Sequence, residues 1–408
     1  MQLILLSRIL IKGDFLRLVK LSSIILIVTS IFISCQDDPT SLGKNFIGDE
    51  IEIIILNSTE DSLAQHSSSY LVDSLSLGAS SRILLGNLDY VKSSMLLRFG
   101  VILPDSIRTS LLNKSLTVLN SEVELRPNYR IGDLTQQFNF SVHKITSNWG
   151  SAKFNADSLA LLSYEPNEIT DQKEISDTLI KFNVHSDIAL EWMNALAGDS
   201  LAENYGMVFF PTPGTNLIYG FRAFPFIQFE NSPLIRFIVE NENSKVDTVV
   251  ATLVFDVHVP EGTPPVVSDD RIQLISGLGQ RGKLFFDLSK LPQNVNINRA
   301  ELTLKLDSLN SVVGSPAADS LRIQLFADSS DLSVISNLRS SRLRFDGKQF
   351  KGDITQPIQL ISNGTDNQGM RLILSNEVEA LDKYVVYGGR FSDPSLRPKL
   401  VIYYNVLK

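Results

Sequence analysis

The chain has 408 residues, with 37 Lys and Arg against 45 Asp and Glu, and a single cysteine. One cysteine excludes an intramolecular disulfide and any cysteine-based metal site. The acidic balance, with no basic stripe interleaved with aromatics, argues against nucleic acid as a partner.

The first residues read as an export signal. Arg8, Lys12, Arg17 and Lys20 form a positive region with Asp14 as its one acidic residue, and an apolar run from Leu21 to Ile33 ends in Ser34-Cys35. At ~1.5 Å per helical residue this run falls well short of the ~30 Å hydrocarbon core, so it reads as a cleaved signal peptide and not as a spanning helix. Ile33-Ser34-Cys35 resembles a bacterial lipobox, although Phe32 stands where Leu is usual. The resemblance implies a signal peptide over residues 1–34, lipid on Cys35, and a tether over 35–49. Gln36-Asp37-Asp38-Pro39 resembles the surface-export signal of Bacteroidetes lipoproteins, which implies the exterior face of the outer membrane; the same residues also read as a plain polar tether. Without residues 1–34 the chain carries 33 cations against 44 anions, a net charge of −11.

Beyond the tether, period-two alternation prevails and helical periodicity is scarce. Phe138, Phe140 and Val142 alternate with Asn139, Ser141 and His143; Ala300, Leu302, Leu304 and Leu306 alternate with Glu301, Thr303, Lys305 and Asp307. Many such short runs between turn residues predict an all-β protein of β-sandwiches. The exception is Ile188, Ala189, Trp192, Ala195 and Leu196, one helical stripe with Ser186 placed to cap its start and Gly198 its end. That stripe assigns Trp192 to the core.

The chain also repeats. Leu96-Leu97-Arg98-Phe99 followed by Leu103-Pro104 matches Leu284-Phe285-Phe286-Asp287 followed by Leu291-Pro292. Gly206-Met207 matches Gly369-Met370, and Pro-led apolar strands close each copy from Pro233 and Pro398. We therefore expect two tandem domains, 50–245 and 246–408, divided at the polar segment from Glu240 to Asp247. Phe286-Asp287-Leu288, Leu291-Pro292, Ala300-Glu301-Leu302-Thr303-Leu304 and Arg397-Pro398 resemble the DNRLRE-type module. That resemblance implies jelly-roll sandwiches of a kind associated with carbohydrate binding in secreted bacterial proteins. Trp149 and the segment Val184 to Asn194 match it in the first copy only; in the second, Ile354 to Gln359 stands where the helix would be.

Chemical motifs are few. Gly277-Leu278-Gly279-Gln280-Arg281-Gly282 spells GxGxxG, but Lys283-Leu284-Phe285-Phe286 continues as a strand, so it reads as a flexible hairpin and not as a dinucleotide site. No HExxH, nucleophile elbow or calcium loop occurs, and no metal or cofactor is expected. The candidate ligand residues are Tyr219, Phe221 and Arg222, and their counterparts Tyr384, Tyr387 and Arg390, because aromatic faces stack on sugar rings and Arg donates to hydroxyls. Alternate members of these segments, Phe224, Phe226 and Phe229 among them, also fit a core strand. The expected function is a non-catalytic envelope lipoprotein, binding glycan or serving adhesion and scaffolding. The alternative is a jelly-roll polysaccharide lyase or glycoside hydrolase, which would need converging carboxylates.

Overall fold

The computed structural model describes residues 51–224, 231–336 and 340–407. The expected signal peptide, Cys35 and the tether lie outside the described residues. Among those described, no helix is long and apolar enough to cross a membrane.

The protein is mostly β, as the alternation predicts. β1 (Ile51–Asn57) and β2 (Gln65–Leu71) come first. Next are β3 (Arg82–Leu88), β4 (Val91–Gly100), β5 (Thr117–Leu125), β6 (Tyr129–Gly132), β7 (Phe140–Ile145) and β8 (Tyr164–Glu168). β9 (Thr170–Ile175), β10 (Ile180–Val184), β11 (Met207–Pro211), β12 (Leu217–Arg222), β13 (Leu234–Glu240) and β14 (Val246–Gly262) complete the first half. The second half holds β15 (Arg271–Ile275), β16 (Gln280–Phe286), β17 (Asn296–Lys305), β18 (Ser320–Leu325) and β19 (Ser341–Phe345). It ends with β20 (Gln349–Asp353), β21 (Met370–Leu374), β22 (Lys383–Tyr387) and β23 (Lys399–Leu407). Among the described residues β3 to β14 share one 12-stranded sheet, and the remaining strands form an 11-stranded sheet that includes β1 and β2.

The repeat has a physical basis in strand pairing. β11 pairs with β4, Met207 opposite Leu97, and β21 pairs with β16, Met370 opposite Leu284. Gly206 and Gly369 precede these strands with φ of +84° and +88°. A Cβ would lie 2.1 Å from the Leu97 carbonyl oxygen in one copy and 3.1 Å from that of Leu284 in the other. Left-handed backbone against a carbonyl admits glycine and little else. This register equates Leu97 and Phe99 with Leu284 and Phe286, all buried. It corrects the sequence match by one residue, since inward-facing positions alternate along a strand.

Helix Ser186–Ala197 packs on β5 and helix Thr355–Ser362 packs on β17, so the second copy has the helix that its sequence obscures. Its Pro357 falls in the first turn, where a missing N–H costs nothing. Trp192 is buried among the first-half core as its stripe predicts, and Gly198 ends the helix at φ +95°. The N-cap is His185; Ser186 is already helical.

The expected division at 245/246 does not follow the sheets. Asn241 to Lys245 is a hairpin turn, the Asn241 side chain accepting from the amides of Asn243 and Lys245, both at 3.0 Å. β14 then pairs with both β13 and β4 of the first half. β2, expected in the first domain, pairs along β16 from Gln65–Phe286 to Leu71–Gln280 in the second. Ile54–Tyr404 makes up one compact unit.

Within that unit a buried carboxylate ties the halves together. Asp382 is fully buried; it accepts from Tyr129 Oη at 3.0 Å, the Gly314 amide at 2.6 Å and Asn376 Nδ2 at 2.6 Å. Tyr129 Oη also accepts the Leu381 amide, Tyr90 Oη donates to the Leu381 carbonyl at 2.7 Å, and Arg82 donates to the Glu379 carbonyl at 2.9 Å. Ala380 and Leu381 pack among Leu84, Leu88, Ile131 and Ile218. Burial raises the Asp382 carboxyl above its usual range, outweighing the Gly314, Asn376 and Tyr129 donors that pull it down. Tyr129→Phe leaves a buried carboxyl oxygen and the Leu381 amide without this partner, so it should cost about 1–3 kcal/mol in urea denaturation. An unchanged midpoint would show that the carboxylate does not depend on Tyr129.

Candidate functional site

Three of the six predicted ligand residues are core. Tyr219 is 5% exposed with the Phe138 ring edge-on at 4.8 Å, and Phe221 is fully buried. Tyr384 is fully buried too, its ring 5.4 Å from Phe345 and 5.3 Å from Phe350. Phe221 and Tyr384 cannot offer a face to a ligand, and Tyr219 reaches only the lining of a separate cavity beside Arg130 and Phe138. The physical reason is that Leu217–Phe221 and Tyr384–Val386 are buried on both faces of their strands, so apolar runs there carry no directional signal. Arg222 is half-buried at the end of β12. Phe226 and Phe229 lie outside the described residues, and Phe224 is half-exposed.

Tyr387 and Arg390 come together elsewhere. Tyr387 ends β22, and the Gly388 and Gly389 amides bond to the Asp270 carbonyl at 2.7 Å and to Ser67 Oγ at 2.9 Å. A Cβ on Gly388 would lie 2.6 Å from Ser67 Oγ, so glycine lets this turn run against β2. Beyond it, Phe391 packs 4.5 Å from the Tyr387 ring, and the Arg271 guanidinium lies over both rings. Arg271 is fully engaged, donating to Asp307 at 2.7 Å and to Asp270 and Ser268 at 2.8 Å. Burial works to raise the Asp307 carboxyl, but the Arg271 and Asn310 hydrogen bonds outweigh it and hold it below its usual range. Arg271 is therefore a buttress, and Tyr387 is part of it.

Arg390 is exposed and lines a groove of about 510 Å³. One wall is Ser67, Ser68 and Ser69 of β2; the other is Pro264-Pro265-Val266-Val267-Ser268, with Gln280 also lining it. Gln273 donates to the Pro265 carbonyl at 2.8 Å and to Gln280 Oε1 at 2.8 Å, which fixes the wall to the sheet. The groove thus combines hydroxyls, an amide, the cations Arg271 and Arg390, the Asp269 carboxylate and an apolar proline edge. Sequence reasoning missed Ser67–Ser69 and Arg271 because β2 reaches this site from nearly 200 residues upstream. Among the described residues no cluster of three or more His, Cys, Asp or Glu could hold a metal ion.

The strongly perturbed acids lie away from this groove. Asp256 is 6% exposed, and burial pushes its carboxyl up to about 7 against the opposing hydrogen bond from the Phe224 amide at 2.6 Å. His258, two residues on and fully buried, is pressed down to about 3 by burial and by the Arg82 charge. No family model, characterised protein or solved structure matches the chain.

Asp256 gives a pH signature. Its folded-state value is raised, so its contribution is fully present below about pH 3.9 and is lost as pH rises to about 7. Asp256→Asn keeps the acceptor and removes the titration. The variant should gain on the order of a few kcal/mol over the parent at pH 8, with the gain shrinking toward pH 4. Comparing the two cancels the opposite contribution of His258. Urea denaturation across this range checks it; a pH-independent difference would contradict the assignment.

Proposed function

We propose that this protein is a lipid-anchored component of the cell envelope, held to the outer membrane through Cys35 and facing the exterior, that binds glycan without cleaving it. Its two halves are read as jelly-roll modules of the DNRLRE type, a reading supported by the repeated Gly-Met strand and the repeated helix. The observation that carries the binding role is the groove beside Arg390. Ser67, Ser68, Ser69, Ser268 and Gln280 can exchange hydrogen bonds with sugar hydroxyls, and Pro264 to Val266 offers an apolar edge to the C–H side of a ring. Arg390 adds planar donors that no internal carboxylate engages among the described residues.

Arg390→Ala should weaken glycan binding by about tenfold or more, the value of a hydrogen bond from a charged group, with the fold intact by circular dichroism. Calorimetry against a panel of neutral polysaccharides checks this. Equal binding by variant and parent removes the groove as the site; a parent that binds none of them points to adhesion or scaffolding through other proteins. Cys35→Ala should abolish incorporation of a fatty acid analogue in growing cells, since acyl chains supply the membrane affinity at ~0.8 kcal/mol per CH₂. Label that persists in the variant would sink the anchor.

A further inference from the structure

The outer face of the second sheet collects cations in a way that the rest of this acidic chain does not. β16 presents Arg281 and Lys283, β21 Arg371, β18 Arg322, β19 Arg342 and Arg344, and β20 Lys351, each alternating with buried neighbours. The register sets like charges directly opposite one another: Lys283 faces Arg371, Arg322 faces Arg342, and Arg344 faces Lys351. Directly opposed like charges destabilise a sheet. The first sheet sets Arg222 opposite Arg82 in the same way, but elsewhere it meets its cations with carboxylates. There Arg236 meets Glu124 at 2.6 Å and Glu122 at 3.6 Å, and Lys181 meets Glu122 at 3.2 Å.

Close ion pairs on the basic face are confined to its margins, while Asp319 acts on Arg342 and Glu377 on Arg371 at longer range. Glu377 chelates Arg281 at 2.6 and 2.9 Å, and Glu301 takes Lys351 at 2.8 Å. Among the described residues, no carboxylate lies within 4.0 Å of Arg322, Arg342, Arg344 or Arg371. Arg371 donates instead to the neutral Gln324 Oε1, at 3.0 and 2.7 Å. The Nε of Arg322 is buried with no partner. A face that keeps this repulsion would be relieved by an anion from outside, reached through the exposed Arg342 and Arg344.

We propose that this face binds a linear acidic polysaccharide, laid across the strands with one carboxylate or sulfate per sugar. Neighbouring strands lie about 4.8 Å apart, so β16, β21, β18, β19 and β20 spread the cations over roughly 19 Å. A chain of charged sugars repeats on a comparable length. Arginine predominates, and its fork engages a carboxylate or sulfate through two bonds. A lipid surface fits less well, because β16, β21, β18 and β19 carry no exposed large apolar side chain to enter it. The face is distinct from the Arg390 groove, so the two surfaces fail or succeed separately.

The test uses the full chain with polygalacturonate and with its methyl-esterified, uncharged form. Polygalacturonate should bind, weaken with added salt and lose at least about tenfold in affinity in the double variant Arg322→Gln, Arg342→Gln. That variant should melt at or above the parent temperature, because it relieves a repulsion. Should it fail to fold, Arg344→Gln, an exposed single change, must still lower affinity. Three results would overturn the proposal: no binding by the parent, equal binding by the folded variants, or equally tight binding of the parent to phosphatidylglycerol vesicles or duplex DNA at the same salt. Arg390→Ala should leave polygalacturonate binding unchanged. If it alone abolishes binding, the groove is the polyanion site and the basic face is not.

Discussion

The second sheet depends on a hydrogen-bonding edge that its own half of the chain does not supply. β16 is bonded to β21 on one side, and its other row of amides and carbonyls would be left open without β2. An unpaired strand edge is both costly when covered and prone to pairing with other chains when exposed. β2 closes it with seven residues in register, from Gln65 opposite Phe286 to Leu71 opposite Gln280. In the first half the corresponding place beside β4 is taken by β14, from the C-terminal side. The two copies therefore share a pattern of strands but close it from opposite ends of the chain. The second half is discontinuous in sequence, with the whole first half inserted between β2 and β15. Contacts of such long range make folding slow, because chain must be ordered over a large loop before they form.

The Asp382 carboxylate has the same logic at the scale of one side chain. A carboxyl group removed from water is expensive unless its oxygens are hydrogen-bonded, and here Tyr129, Gly314 and Asn376 bond to them. Two of these donors belong to the second half and one to the first. The network is complete only with Tyr129 and Tyr90 of the first half in place, and so it favours one arrangement of the halves over others. The mechanism proposed for the surface is the reverse. On β18 and β19 the cations form no close ion pair, Asp319 acting on Arg342 only at longer range, where the first sheet pairs its cations with Glu122 and Glu124.

Much of the fold was legible in the residues, and the failures have specific causes. Alternation located the strands, and Gly206-Met207 with Gly369-Met370 marked the repeat because left-handed backbone restricts the choice to glycine. The GxGxxG segment is the β15–β16 hairpin that its following strand implied, but it is packed, with a Cβ on Gly277 falling 2.4 Å from Leu381. The boundary was misplaced because a turn of Asn, Ser and Lys has the composition of a linker, and only the Asn241 hydrogen bonds distinguish them. Tyr219, Phe221 and Tyr384 were misread because an aromatic in a strand buried on both faces looks the same in sequence as one displayed on a surface. The basic face was scattered over residues 281–351 and 371; only the register brings Arg322 opposite Arg342, and no local pattern reveals it.

β2 is an integral strand of the second sheet, and its pairing with β16 both joins the halves and builds one wall of the groove. Native-state hydrogen exchange on the full chain measures this directly. The amides of Gln65 to Leu71 should open only with those of Gln280 to Phe286, at one shared free energy that responds to denaturant as a cooperative unit. Exchange of the β2 amides at a far lower opening energy, while β16 stays protected, would show that β2 is an appendage and that the second half completes its sheet without it.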